Sequence, residues 1–218
     1  MLVGRRQDRL ETVQDAVVAD GGRADVLAWD IGGGDTAGAL VDAAAERAGS
    51  VDVLVHAAGN QVRAPALDYP LTDWDAVVGL HLRAAFALAQ AVGRRLRDDQ
   101  RHGSVLFVGS LTSQRAGLPT TVAYGAAKSG LLGLMRTLAV EWAPYGIRVN
   151  TLLVGFVATE MTRNIDDTPE RHAVTSRIPL GRLGTPDDIG GVAAFLASDL
   201  AGYVTGESVT VDGGWSVA

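Results

Sequence analysis

Three side chains between positions 110 and 128 could together move a proton at a carbonyl oxygen: Ser110, Tyr124 and Lys128. Tyr124 and Lys128 are four residues apart, so on a helix the phenol and the ammonium share one face, one turn apart. A phenol ordinarily ionises only near pH 10, too weakly for acid–base work at neutrality. A neighbouring cation favours the phenolate and brings that value down. Ser110 closes the apolar run VLFVGS, from where its hydroxyl can hold the oxygen that receives the proton. Ser113 is a second candidate for that task. A tyrosine and a lysine at this spacing are common on helix surfaces. The strand, serine, loop and helix around them set this pair apart.

These residues need a frame, and the hydropathy pattern supplies one. Apolar runs at Leu2–Val3, Ala24–Trp29, Val51–His56, Ser104–Gly109, Arg148–Val154 and Ser208–Asp212 read as strands. Between them, helical periodicity falls at Asp8–Ala19, Thr36–Ala48, Thr72–Asp98, Ala123–Ala143 and Pro186–Ala197. Alternating strands and helices predict an α/β fold, a doubly wound parallel sheet in an α/β/α sandwich. Strand cores that are apolar throughout imply cover on both faces. No repeat, linker or compositional break divides residues 1–218, so one domain is expected.

Composition narrows the function. The 218 residues carry a formal net charge of −6, which offers nucleic acid no attraction. No uninterrupted apolar run approaches the ~18 residues that span a bilayer, and no signal-peptide pattern opens the chain. A cytoplasmic protein is therefore expected. With no cysteine and four scattered histidines, thiolate chemistry is excluded and a metal centre is not expected. The glycine-rich run DIGGGDTAG, Asp30–Gly38, lacks both the P-loop lysine and the GxGxxG spacing, so a turn capped by Asp35 or Thr36 is the better reading. Trp29, Trp74, Trp142 and Trp215 read as packing residues.

The stretches VLFVGSLTSQ, AYGAAKSGLLGLMRTLAVEWAPYGIRVN, GFVATEM and GRLGTPDDIGGVAAFLASDLAGYVTGESVTVDGG closely resemble the short-chain dehydrogenase/reductase (SDR) family, with a Rossmann-like fold. The resemblance runs the length of the chain, and its wording is nearest to members acting on sugar acids, polyols or small ketones. It implies that Tyr124 is the general acid/base, that Lys128 lowers its pKa and contacts the cofactor ribose, and that Ser110 orients the substrate oxygen. It implies a dinucleotide site with Asp30 at the adenine, Ala58 and Gly59 under the ribose, and Gly155 and Thr159 beside the nicotinamide. Arg5 and Arg6, ending what would be the family's second strand, would meet the 2′-phosphate of NADP(H). His81 stands where the family normally has the asparagine of its proton relay. HAAG, His56–Gly59, replaces the family's NNAG, and Val154-Gly155 replaces Pro-Gly. Substrate contacts are expected from the polar segment Phe156–Arg177 and from Gln61, Arg63, Gln114 and Arg115. Long helices and the last strand imply a homodimer or homotetramer.

No TGxxxGxG occurs in these residues, although the family holds the pyrophosphate with it. The resemblance thus places the opening MLVG at the second strand of the sheet. The first βα unit is missing, or the first strand is rearranged, between the strands that end at Val3 and His56. Three functions are open at this point. The first is NADP(H)-dependent carbonyl reduction or alcohol oxidation on a small-molecule substrate. The second is non-redox acid–base chemistry (a lyase, isomerase or cyclase) with no dinucleotide. The third is a non-catalytic subunit.

Overall fold

In a computed structural model, residues 1–114, 117–159 and 169–218 are described. The elements run β1 (Leu2–Gly4), α1 (Gln7–Ala19), β2 (Val26–Ala28), α2 (Ala37–Ala48), β3 (Val53–His56) and α3 (Leu71–Val78). Then come α4 (Ala84–Asp98), β4 (Gly103–Val108), α5 (Val122–Trp142), β5 (Ile147–Val154), α6 (Pro169–Thr175), α7 (Pro186–Ala197) and β6 (Ser208–Val211). All six expected strands form, and every observed pairing is parallel.

The strands make two sheets. β1 pairs with β2, while β3-β4-β5-β6 form a four-stranded sheet. Period two sends alternate side chains of one strand to opposite faces. Val105 and Phe107 of β4 join Ile147 and Val149 of β5 in a core with Leu88 and Val92 of α4 and Leu131 and Met135 of α5. Leu106 and Leu152, on the opposite face, pack with Leu196 of α7 and Ala201. Helices thus cover both faces of the larger sheet, as the apolar strand cores require. The outer strands differ: Val3 of β1 and Val53 and Val55 of β3 are exposed. They border an apolar cleft of about 490 Å³ floored by Leu40, Val41 and Leu88.

Thr72–Asp98, expected as one helix, is interrupted. α3 and α4 are joined by a π-helical turn at Gly79–Arg83, with His81 buried in it. The combined stretch Leu71–Asp98 is long and apolar enough, by length and composition alone, to cross a membrane. His81, Arg83 and Gln90 interrupt its apolar residues, so it holds no uninterrupted apolar run of that length. Val77, Ala85, Leu88, Ala89, Val92 and Leu96 bury in the protein core, which accounts for the apolarity. The short helix α6 was not foreseen. The Asp30–Gly38 run is a turn, as expected, but without the expected cap: the Thr36 hydroxyl accepts from Trp29 Nε1 at 3.1 Å.

Candidate active site

The site lies at the carboxyl ends of β3, β4 and β5, where an open parallel sheet leaves a crevice. β4 ends at Val108. Ser110 then opens a short helical turn, and its Oγ accepts from Thr112 N at 3.3 Å. Ser113 Oγ accepts from Ser110 N at 3.1 Å and is buried, so Ser113 braces the turn and Ser110 faces the site. The Ser110 side chain also hydrogen-bonds the Tyr124 hydroxyl. The loop from Gln114 returns to Thr121, and α5 brings Tyr124 and Lys128 to the same place.

Lys128 is 4 % exposed and donates to the Val108 carbonyl, which ties α5 to the end of β4. Burial pushes its ammonium down to about 8. Its Nζ lies 5.7 Å from the centre of the Tyr124 ring. Burial raises the pKa of the Tyr124 phenol, and the Ser110 hydrogen bond opposes that rise.

His81 stands edge-on to Tyr124, with ring centres 5.2 Å apart. Its Nε2 lies 2.7 Å from the Asn60 carbonyl oxygen and 3.1 Å from the Asn60 nitrogen. The imidazole thereby ties the π-helical turn to the loop that follows β3. Gly59 is required there, since a Cβ would run into His81 Cε1.

A second cleft, about 450 Å³, opens beside the first and is lined by Arg5, Arg6, Arg9, Asp30, Gly32, Ala58, Gly59 and Asn60. Val3, Ile31 and Ala58 border both clefts. Asp30 Oδ1 accepts from Gly32 N at 3.0 Å, which shapes the turn after β2. Three guanidinium groups around one polar cleft match a phosphate monoester on a nucleoside. This donor set fits the adenosine end of NADP(H). Gly155 and Thr159 border neither cleft. Gly155 lies where a Cβ would come 2.7 Å from Asp212 Cα, and Thr159 is exposed beyond the Val157–Gly184 bridge.

Beyond Ser110 the wall is apolar: Leu111, Ile178, Leu183 and Trp215 cluster with Phe156 and Val174. Arg177 covers the Trp215 ring at 4.5 Å. Arg115 and positions 160–168 of the expected substrate segment lie outside the described residues. Two functional signals escaped the sequence reading. Lys128 is the only lysine in the chain, all other basic residues being arginine. A guanidinium stays protonated wherever it is placed, whereas a buried ammonium can titrate near neutrality, so one lysine at this position is chemically pointed. The other is His56, noted only as a mismatch, which is buried beneath the same site.

A parallel sheet with helices on both faces, carrying a serine, a tyrosine and a lysine at its carboxyl edge, defines a Rossmann-type protein with acid–base groups beside a nucleotide cleft. The chain belongs to the short-chain dehydrogenase/reductase family: a family model described as enoyl-(acyl carrier protein) reductase matches residues 1–216. It is 42% identical over 204 residues to an L-rhamnose 1-dehydrogenase (NAD(P)(+)) of Azotobacter vinelandii, covering 93% of this chain and 79% of the relative. It is 36% identical over 206 residues to a 2-dehydro-3-deoxy-D-gluconate 5-dehydrogenase of Escherichia coli, covering 94% of this chain and 81% of the relative. A gluconate 5-dehydrogenase of Burkholderia cenocepacia, solved with NADP and tartrate, superposes with a TM-score of 0.91 at 32% identity, covering 100% of this chain and 85% of that one.

Proposed function

We propose that this protein is an NADP(H)-dependent oxidoreductase that interconverts a carbonyl and an alcohol on a sugar, sugar acid or polyol. The observation that carries the reading is the meeting of Ser110, Tyr124 and Lys128 at the end of β4. NADP(H), when bound, supplies the hydride acceptor or donor. Tyr124 gives its proton to the substrate oxygen in reduction and takes it back in oxidation, a contribution of roughly 10²–10⁴-fold to such reactions. Ser110 holds that oxygen by hydrogen bonding. Lys128, with Val108 as its anchor, keeps a positive charge behind the phenol and favours its ionised form once the ammonium turns toward it. Arg5, Arg6 and Asp30 hold the adenosine end, with Ala58 and Gly59 as the floor. Gly155 and Thr159 are assigned to the nicotinamide end by the resemblance alone.

Phe86 and Val140 on the long helices, and Leu200 and Val217 near β6, are exposed apolar residues suited to a homodimer or homotetramer. A cytoplasmic location fits this function.

The test is to titrate the folded protein with NADPH by nicotinamide fluorescence. NADP⁺ reduction is then assayed with L-rhamnose, gluconate and, as contrast, an acyl thioester. Saturable NADPH binding and turnover of a polyhydroxylated substrate are expected, with Tyr124→Phe at least about 100-fold slower. Absence of NADPH binding in folded protein, or full activity of Tyr124→Phe, would sink the proposal.

A further inference from the structure

Arg177 carries a guanidinium that the fold does not spend. It follows α6, is exposed, and lies over the Trp215 ring at 4.5 Å from the ring centre. Other arginines are committed. Arg95 pairs with Asp42, Arg101 with Asp52 and Arg182 with Asp188, while Arg148 donates to the carbonyls of Leu196 and Ser198. Arg63, also expected near the substrate, donates to Gln61 Oε1 at 3.3 Å. Among the described residues, the Arg177 guanidinium has the Trp215 face and neither a hydrogen-bond acceptor nor a carboxylate.

The ring beneath it is a fixed platform. After β6, the Asp212 carboxylate accepts from Gly214 N at 2.9 Å and from Ser216 N at 2.8 Å, which winds the chain into a tight turn and occupies the acid of that turn. Gly213 and Gly214 take left-handed φ values of 66° and 90° there, and a Cβ on Gly214 would come 2.9 Å from Pro179 Cγ. Leu180 N donates to the Gly213 carbonyl at 3.2 Å, which ties the turn to the segment after α6. The indole, 9 % exposed, is thereby set in the cluster that holds Ile178 and Leu111. An aromatic ring attracts a cation through its face and accepts none of the five N–H donors that a guanidinium carries. The fork therefore stays open for a planar, bidentate acceptor, and a side chain already held over a ring loses less freedom on binding one.

We propose that Arg177 is the specificity-determining residue of the substrate site and binds a carboxylate, so that the substrate is a sugar acid and not a neutral sugar or polyol. The inference deepens the proposed oxidoreductase function and rests on it. Ile178 follows Arg177, Leu111 follows Ser110, and both bury in the same apolar cluster. Arginine and serine thus stand at two sides of one wall. A substrate lying along it offers its reacting oxygen to Ser110 and Tyr124 and its far end to Arg177. A sugar acid has that form, with a planar anionic group at one end and alcohols several carbons away. Its carboxylate matches the guanidinium with two parallel charge-assisted hydrogen bonds, which a hydroxyl cannot do.

The test compares acids with neutral chains of the same length. The whole chain, without nucleotide, is titrated calorimetrically with D-gluconate and D-galactonate and with their polyol counterparts D-glucitol and galactitol. In the parent, the acids are expected to bind about 10–100-fold more tightly, the range that charge-assisted hydrogen bonds supply. Arg177→Gln is expected to erase that preference while leaving polyol binding unchanged. Arg177→Lys, which restores the charge without the fork, is expected to recover only part of it. Arg177 is exposed, so neither variant opens the core. In turnover with NADP⁺, Arg177→Gln should raise KM for the acid by the same factor with kcat little changed. Failure of both acids to bind folded parent, equal binding of acid and polyol, or a preference that survives in Arg177→Gln would overturn the inference. A protein that shows the Arg177-dependent preference but binds no NADPH refutes the oxidoreductase reading, whereas one that binds NADPH without the preference refutes this inference alone.

Discussion

Acidification should weaken this fold through two particular residues. His56 and His81 are held down to about 4 by burial and by Lys128, against an ordinary value of 6.5. In the unfolded chain both rings are free to protonate near 6.5, so between pH 6.5 and 4 the unfolded state binds more protons. Stability is therefore complete above about pH 7 and is lost as the pH falls through 6.5 toward 4. At pH 5 the unfolded ring is about 1.5 pH units below its midpoint while the native ring is still mostly neutral. At 1.36 kcal/mol per unit, each histidine then costs about 2 kcal/mol, and the pair about 4. That is a large share of the roughly 5–15 kcal/mol by which a domain is stable. Urea unfolding at pH 7.5 and pH 5.0 measures the loss directly. His56→Asn/His81→Asn, which replaces both rings by amides that do not titrate, should lose about 4 kcal/mol less between the two pH values, whatever its stability at pH 7.5. Equal losses in the parent and the double variant would refute the reasoning, since the acid-sensitive groups would then lie elsewhere.

Two further outcomes test other parts of the site. Arg5→Ala/Arg6→Ala should weaken NADPH binding by about 10–100-fold while leaving NADH nearly unaffected, because a charge-assisted hydrogen bond contributes roughly 1.5–3 kcal/mol; parallel fluorescence titrations check this, and equal losses for both nucleotides would remove the 2′-phosphate assignment. Gly59→Ala should destabilise the fold by about 1–3 kcal/mol, since the new methyl displaces the buried His81 ring; an unchanged urea midpoint would show that the ring moves freely.

The strands were legible because each is a compact apolar run, and Val105–Phe107 and Val149–Leu153 are buried on both faces as such runs demand. Helix ends fell within a residue or two for the same reason. The π-helical turn at Gly79–Arg83 left no mark in the periodicity, because the buried residues Val77, His81, Ala84, Leu88, Val92 and Leu96 recur every three or four positions straight through it, so the stretch reads as a single helix.

By itself the sequence determined which residues could do chemistry. The four-residue spacing from Tyr124 to Lys128 and the serine at the end of a strand are local facts, dictated by helical and strand periodicity. It also determined the layered α/β class, since strands apolar on both faces must be covered twice. Tertiary structure decided what surrounds those residues. It turned Lys128 to the Val108 carbonyl and buried the Tyr124 phenol, which raises its pKa. It also buried His56 of β3 and His81 of the π-helical turn where the Lys128 charge acts on both, and set His81 edge-on to Tyr124. Proton affinity follows desolvation and the charges within a few ångströms, and those distances exist only once the sheet has brought β3, the π-helical turn and α5 together.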